Sequence, residues 1–207
     1  MPYVISRPPR RALATVAACL GLLITAAPAA ASTDSCAIPA SSAVFASLGD
    51  TASYFAVPGG TFEDAVTGWS LSGAQVVSGN EPFQVGGLGD SHSLSIAPGG
   101  VAASPTICVN SLTPTWRFFS VAENPTAPGS QLTVLAQWTD PRTGHTFRLP
   151  IAHRNGKTDA VWSATPALTL GKLLPVGMNV NIQLVFEAGK NGAGWSIDDV
   201  FVDPYAR

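Results

Sequence analysis

Two adjacent carboxylates stand in an apolar stretch near the end of the chain, Gly194-Trp195-Ser196-Ile197-Asp198-Asp199-Val200-Phe201-Val202. A carboxylate is costly to bury unless a cation or hydrogen-bond donors neutralise it, so Asp198 and Asp199 need a partner. A hard cation, which gathers carboxylate and carbonyl oxygens, is the economical one. A second acidic pair, Glu63-Asp64, follows Gly59-Gly60-Thr61-Phe62 far upstream. The two ends of the chain are expected to meet in one antiparallel sandwich.

A second constellation is Gly89-Asp90-Ser91-His92, the Gly-Asp-Ser block of one esterase class, with Ser91 as nucleophile. That class takes its base from an Asp-x-x-His element near the C-terminus, and no Asp stands three residues before any His here. On a strand, Ser91 and His92 project to opposite faces, which excludes a nucleophile–base hydrogen bond. A tight turn opening a strand is the favoured reading. Glycoside hydrolysis needs two facing carboxylates, and nothing in the spacing of the 13 acids pairs them. His92, His145 and His153 are too dispersed for zinc. The expectation is a chain that is not an enzyme.

The elements that must position these groups are strands. Short apolar runs alternate with Gly and Pro punctuation at residues 53–57, 69–77, 92–97, 104–109, 115–121, 132–138, 146–151, 160–165, 179–188 and 195–202. Turn signals such as Pro58-Gly59-Gly60, Pro98-Gly99-Gly100 and Asn155-Gly156 separate them. Val180, Ile182, Leu184 and Phe186 point one way while Asn181, Gln183 and Glu187 point the other, the pattern of a half-buried antiparallel strand. Leu132, Val134, Ala136 and Trp138 behave alike, and Trp195, Ile197 and Phe201 share one face by the same period of two. Pro166 to Leu174 reads as a loop packed over the sandwich edge.

Only 12% of the 207 residues are charged, against about 25% in an ordinary soluble domain. Part of the bias comes from a segment with the pattern of a signal peptide: Arg7, Arg10 and Arg11, an apolar core over residues 12–27, and Pro28-Ala29-Ala30-Ala31 as the cleavage site. A membrane anchor and a lipoprotein box at Val16-Ala17-Ala18-Cys19 compete with that reading less well, and Arg10-Arg11 with Leu13 leaves the export route open to a twin-arginine address. Cleavage leaves 8 basic against 13 acidic residues, a net charge of −5, with the basic residues scattered singly. Nucleic-acid and anionic-membrane binding are excluded on that ground, and no stable membrane insertion is expected after cleavage. The expected location is extracellular or in the cell envelope. Two cysteines remain, Cys36 and Cys108, and in an oxidising compartment they are most simply one disulfide, with two buried thiols as the alternative. Such a bridge would close a loop worth about 4 kcal/mol in the chain-entropy account. The domain plan is a signal peptide over 1–31, a surface tail over 32–52 tethered by the disulfide, and a sandwich over 53–207.

Phe62-Glu63 with Gly68-Trp69, Ser91-His92-Ser93-Leu94 and Trp195-Ser196-Ile197-Asp198-Asp199-Val200 resemble jelly-roll modules of the galactose-binding-like and carbohydrate-binding superfamily. Pro58 to Asp64, Ser78-Gly79-Asn80-Glu81-Pro82-Phe83, Gly89 to Leu94, Arg117-Phe118-Phe119 and Asp198 to Tyr205 also resemble a family of exported bacterial proteins, a likeness that confers no activity. The first resemblance implies an all-β, antiparallel β-sandwich of jelly-roll type. It also implies a structural Ca²⁺ held by Glu63 and Asp198, with Asp64 and Asp199 as neighbours. Against this stands the reading in which Asp198 and Asp199 cap turns and Glu63 is solvated.

Sugar-binding sandwiches stack ligands on aromatic rings and bond hydroxyls with amides, acids and Arg. Of five Trp, Trp69 and Trp195 read as core, leaving Trp138 and Trp162 as candidate platforms. Arg117, Asn181 and Gln183 are the candidate hydrogen-bonding partners, although an ordinary wet sheet face would look the same. The expected function is a noncatalytic module binding an extracellular glycan. The alternative is a structural or protein-partner module of the cell surface.

Overall fold

The alternation of the sequence becomes strands wherever one face can be buried. The structure, a computed structural model, describes residues 37, 39–64, 66–110, 115–140, 143–170 and 179–203. The strands are β1 (Phe55–Ala56), β2 (Ser70–Ser78), β3 (His92–Ala103), β4 (Ile107–Asn110), β5 (Thr115–Ala122), β6 (Gln131–Thr139), β7 (Thr146–Asn155), β8 (Ser163–Ala164), β9 (Leu168–Thr169), β10 (Asn179–Ala188) and β11 (Trp195–Asp203). All their pairings are antiparallel. Among the described residues the only helical element is a single turn of 3-10 helix, Ala46–Leu48, and no helix is long and apolar enough to cross a membrane. The expected signal peptide and Cys36 lie outside the described residues, and so does the bridge from Cys36 to Cys108.

One sheet curls into two layers, with the order β7-β6-β10-β3-β11-β5-β8. The corner is β3. Its first half pairs with β11 through Leu94, Ser95 and Ile96, and its second half pairs with β10 through Val101, Ala102 and Ala103. Pro98-Gly99-Gly100, expected as a turn between strands, is instead a bend inside this one strand. β2 follows β3 around the bend, with a register shift between Ser72 and Ala74. Gly73 there has φ of +63°. A Cβ on Gly100 would strike the carbonyl oxygen of Gly73 and come within 2.8 Å of that of Ala97. Only glycine lets the two backbones pass this closely.

Between the layers lies the main core. Leu132 and Val134 of β6 and Ile182, Leu184 and Phe186 of β10 face Leu94, Ile96, Trp116, Phe118, Trp195 and Ile197 of the other layer, all fully buried. Phe186 meets Phe118 edge-on at 5.3 Å and Trp116 at 6.3 Å, so aromatic contacts join the two layers. Trp69 is half-buried against Phe186 and donates its indole N–H to the Pro58 carbonyl at 2.9 Å.

A smaller cluster covers the far side of β5 and β11. Phe119 and Phe201 point outward there, and Phe45, Ala52 and Tyr54 pack on them. Residues 42–52, read from sequence as part of a surface tail, therefore carry a fully buried Phe45. Phe201 also departs from expectation. The ladder between β11 and β5 shifts register between Asp198 and Phe201, and Asp199 takes φ of +52°. This bulge resets the alternation, so Val200 and Val202 join Trp195 and Ile197 in the main core while Phe201 faces the opposite way.

Candidate functional site

Three places gather the chemistry-bearing side chains. The first is the β11 bulge. The segment from Glu81 to Asp90 crosses over it, and Glu81, Asp198 and Asp199 are no more than 1% exposed. Asp198 accepts the backbone N–H of Glu81 at 3.3 Å and that of Asp199 at 2.8 Å. Glu81 accepts the N–H groups of Phe83 and of Val85, the latter at 2.9 Å. Asp199 Oδ2 accepts the Gly86 N–H at 3.0 Å, while its Oδ1 is buried with no donor. Burial, followed by the neighbouring Asp199, pushes the Asp198 carboxyl up to about 9. Burial, followed by contact with Glu81, pushes Asp199 up to about 8. Asp90 is also raised, by burial and by the charges of Glu63 and Glu81.

The expected metal set is not brought together as written. Glu63 sits apart, accepting the backbone N–H of Ser91 at 2.7 Å and of His92 at 2.6 Å on Oε1. Its Oε2 meets Ser91 Oγ at 3.3 Å and His92 Nδ1 at 3.0 Å. Burial would raise the Glu63 carboxyl, but these bonds outweigh it and hold it below its usual range. Asp64 is exposed. The acids that do meet Asp198 and Asp199 are Glu81 and Asp90. Sequence spacing tied neither of them to Asp198 and Asp199, because their approach depends on a loop crossing a strand more than a hundred residues away in sequence.

The second place is Ser91-His92. Contrary to the strand argument, Ser91 Oγ and His92 Nδ1 are 3.0 Å apart. Ser91 precedes the first residue of β3, so strict strand alternation does not govern it. The same Nδ1 also faces Glu63, whereas a nucleophile–base–acid relay needs one imidazole nitrogen for each partner. The relay is therefore not assembled, and the three groups close the junction of the 59–64 turn with β3.

The third place is the layer β7-β6-β10. Gln183 donates to the Ser104 carbonyl at 2.9 Å and accepts from Gln137 at 3.4 Å. Gln137 pairs in register with Gln183 on one side and Arg148 on the other. Arg148 reaches along the face to Glu187. Asn181 is exposed two residues before Gln183. On the other side of the hairpin, Trp138 is half-buried and stacked with Phe147 at 5.2 Å, and His145 meets Phe147 edge-on at 4.7 Å. Phe147 is 38% exposed. Sequence reasoning missed Phe147 and Arg148, which alternate on β7 as the Trp and Gln do on β6.

Two other expected ligand residues lie elsewhere. Trp162 is half-buried against the second cluster, on the β5 side. Arg117 is enclosed, at 9% exposure. Its Nε–H donates to the Thr165 carbonyl at 2.8 Å, its Nη1 donates to Asp50 at 3.1 Å, and its guanidinium lies 4.5 Å from the Phe45 ring centre. These contacts hold residues 45–50 onto β5.

The sequence matches no protein-family model and no curated protein. Solved structures do share the fold. The N-terminal carbohydrate-binding and catalytic modules of a Clostridium thermocellum endo-1,4-β-D-xylanase, complexed with xylohexaose, overlie 74% of this chain at a TM-score of 0.52 and 14% identity. An arabinose-bound α-L-arabinofuranosidase overlies 72% at 0.50 and 18%. The chain spans only 29% of the first and 26% of the second. A xylan-binding domain from Paenibacillus barcinonensis is matched over 71% of this chain and 92% of its own, at 0.49 and 14%. At these identities the likeness is one of fold, and the fold is an antiparallel β-sandwich of jelly-roll type.

Proposed function

We propose that the chain is a noncatalytic carbohydrate-binding module acting outside the cytoplasm, with the glycan held on the β7-β6-β10 layer. The observation that carries this reading is the row Arg148–Gln137–Gln183 on one face of the layer, with Glu187 beside it. Amides, a guanidinium and a carboxylate supply both donors and acceptors for vicinal hydroxyls. The jelly-roll fold supports the reading, as does the absence of an assembled relay at Ser91-His92. The expected export signal and the Cys36–Cys108 bridge belong to the same proposal.

The test is calorimetry with xylohexaose and cellohexaose together with a glycan array. Saturable binding is expected, weakened at least tenfold by Arg148→Ala and by Gln183→Ala. No binding to any glycan, or binding indifferent to both substitutions, refutes it. A second reading, docking of a protein partner, draws on one observation: Leu88 and Phe83, 95% and 47% exposed, stand together on the 81–90 segment.

A further inference from the structure

The outer face of the β7-β6-β10 layer continues past the Arg148–Gln137–Gln183 row. On β6, Leu132, Val134 and Ala136 enter the main core, so Gln131, Thr133 and Gln137 face outward together. Their register partners extend the face: His153 and Glu187 flank Thr133, and Asn155 pairs with Gln131. His153 Nδ1 lies 3.3 Å from both Gln131 Nε2 and Thr133 Oγ1, which joins these rows along the strand. From Gln137 to Gln131 the face runs about 20 Å. At that end, beside Gln131 and Asn155, it opens into a cavity of about 480 Å³.

The chain around this cavity is locked into turns. Ala127 N–H donates to the Asn124 carbonyl at 3.1 Å, Ser130 N–H to the Ala127 carbonyl at 3.2 Å and Gly156 N–H to the Ser130 carbonyl at 2.9 Å. Pro125 and Pro128 fix their own dihedrals, Gly129 takes φ of +73°, and Ala127 packs against the main core. The cavity is therefore formed before a ligand arrives. The chain has 13 acidic against 11 basic residues, yet no acid lines this cavity. The acids nearest in sequence are engaged elsewhere, Glu123 with Ser95 and Ser196, and Asp159 with Arg154.

The lining offers donors instead. Lys157 makes no ion pair among the described residues. Asn155 Oδ1 accepts the Lys157 backbone N–H at 3.0 Å, which leaves the Asn155 amide NH₂ as a donor with no partner among the described residues. Ser130 is 7% exposed, its Oγ is buried with no hydrogen bond, and a Cβ on Gly156 would strike that oxygen. A buried hydroxyl without a partner costs free energy until an acceptor reaches it. One ammonium, one amide donor and one unused hydroxyl, with no competing carboxylate, suit a singly charged oxyanion.

We propose that the cavity receives the carboxylate of a uronic acid unit, so that the glycan held on the layer is an acidic polysaccharide. The inference rests on the glycan reading of the layer and names its substrate class. A glycan lying along the Gln137 and Thr133 rows reaches the cavity at the Gln131–Asn155 pair. There Lys157 pairs with the carboxylate, Asn155 donates to it, and the Ser130 hydroxyl gains the acceptor it lacks. The rows of amides bind sugar hydroxyls, and the cavity selects charge.

The experiment is calorimetry with matched ligands: a xylo-oligosaccharide carrying one glucuronate, an oligogalacturonate, and each of them after carboxyl reduction, which keeps the sugar and removes the charge. Wild type is expected to bind the acidic form of at least one pair about fivefold tighter than its reduced form, with the margin shrinking as salt rises. Lys157→Met keeps the aliphatic stem and is expected to bring the acidic form down to the affinity of the reduced one. Gln183→Ala is expected to weaken both forms alike. Lys190→Met removes the same charge from a side chain that lies over Gly99 at the β3 bend, and is expected to keep the margin. Equal affinity for acidic and reduced forms in wild type overturns the proposal and leaves the glycan reading standing. So does a margin that survives Lys157→Met, or one lost equally in Lys190→Met. A sulfate ester on the reduced oligosaccharide that binds tighter than the uronate assigns the oxyanion to sulfate and overturns the carboxylate. Binding of neither form overturns the glycan reading of the layer, and this inference with it.

Discussion

Arg117→Met is the substitution that best separates a structural role from a binding role. It keeps the aliphatic stem on the second cluster and removes the guanidinium. Lost with it are the bonds to the Thr165 carbonyl and Asp50 and the contact over the Phe45 ring. Removing one member of a buried ion pair costs about 3–5 kcal/mol. Asp50 keeps hydrogen bonds from Tyr54 Oη at 2.7 Å and Ala52 N–H at 3.0 Å, and its side chain is 21% exposed, so part of that cost is relieved. The Thr165 carbonyl regains nothing. We expect a loss of about 2–4 kcal/mol, or about 5–15 °C in Tm for a domain of this size. Guanidinium denaturation followed by Trp fluorescence reads it, and a cycle with Asp50→Asn isolates the pair. The pH dependence adds a second readout. Burial would raise the Asp50 carboxyl, but Tyr54, Ala52 and Arg117 lower it below its usual value. Its stabilisation is therefore present above the unfolded-state pKa and is lost as pH falls through the folded one. Arg117→Met should flatten that acid limb. A loss below about 1 kcal/mol, or a fall in glycan affinity at full stability, would refute the reasoning.

Two further outcomes are expected. The raised carboxyls of Asp198 and Asp199, at about 9 and about 8, retain protons that the unfolded chain gives up above its ordinary carboxylate pKa. The protein should thus lose stability as pH rises from 5 to 9, by up to about 1.4 kcal/mol per unit per group, with Asp199→Asn shallower; a melting curve that climbs toward pH 8 would count against it. Gly100→Ala should cost about 2–3 kcal/mol or more, since the new methyl meets the backbone oxygens of Gly73 and Ala97, neither of which can swing away; a denaturation midpoint within error of wild type would show that the β2–β3 corner can open.

The strands were legible because each has one face on an apolar core, and period two records that directly. Ile182, Leu184 and Phe186 against Asn181 and Gln183 is such a case. What period two does not record is a reset. The bulge at Asp198-Asp199 inserts a residue without changing the composition of the strand, so Phe201 was assigned to the wrong face. Gly99-Gly100 looks like a turn whether the chain reverses or only bends; pairing with a second strand across the bend decides it. The site was legible as a need and not as a set of partners. Two carboxylates in an apolar strand announce that something must neutralise them, but which acids join them depends on where a loop from the first half of the chain lands. Arg117 illustrates the converse. An Arg between Trp116 and Phe118 looks available for a ligand until Asp50 and Thr165 arrive from distant segments. In both cases the missing information is the same, namely which loop covers the outer face of β5 and β11. That covering layer, residues 42–54 on one side and 81–90 on the other, brings Phe45 over Arg117 and the Gly86 backbone over Asp199. It also carries the exposed Phe83 and Leu88, so the backbone bonds from Glu81 and Gly86 to Asp198 and Asp199 set the shape of that face as well as its stability.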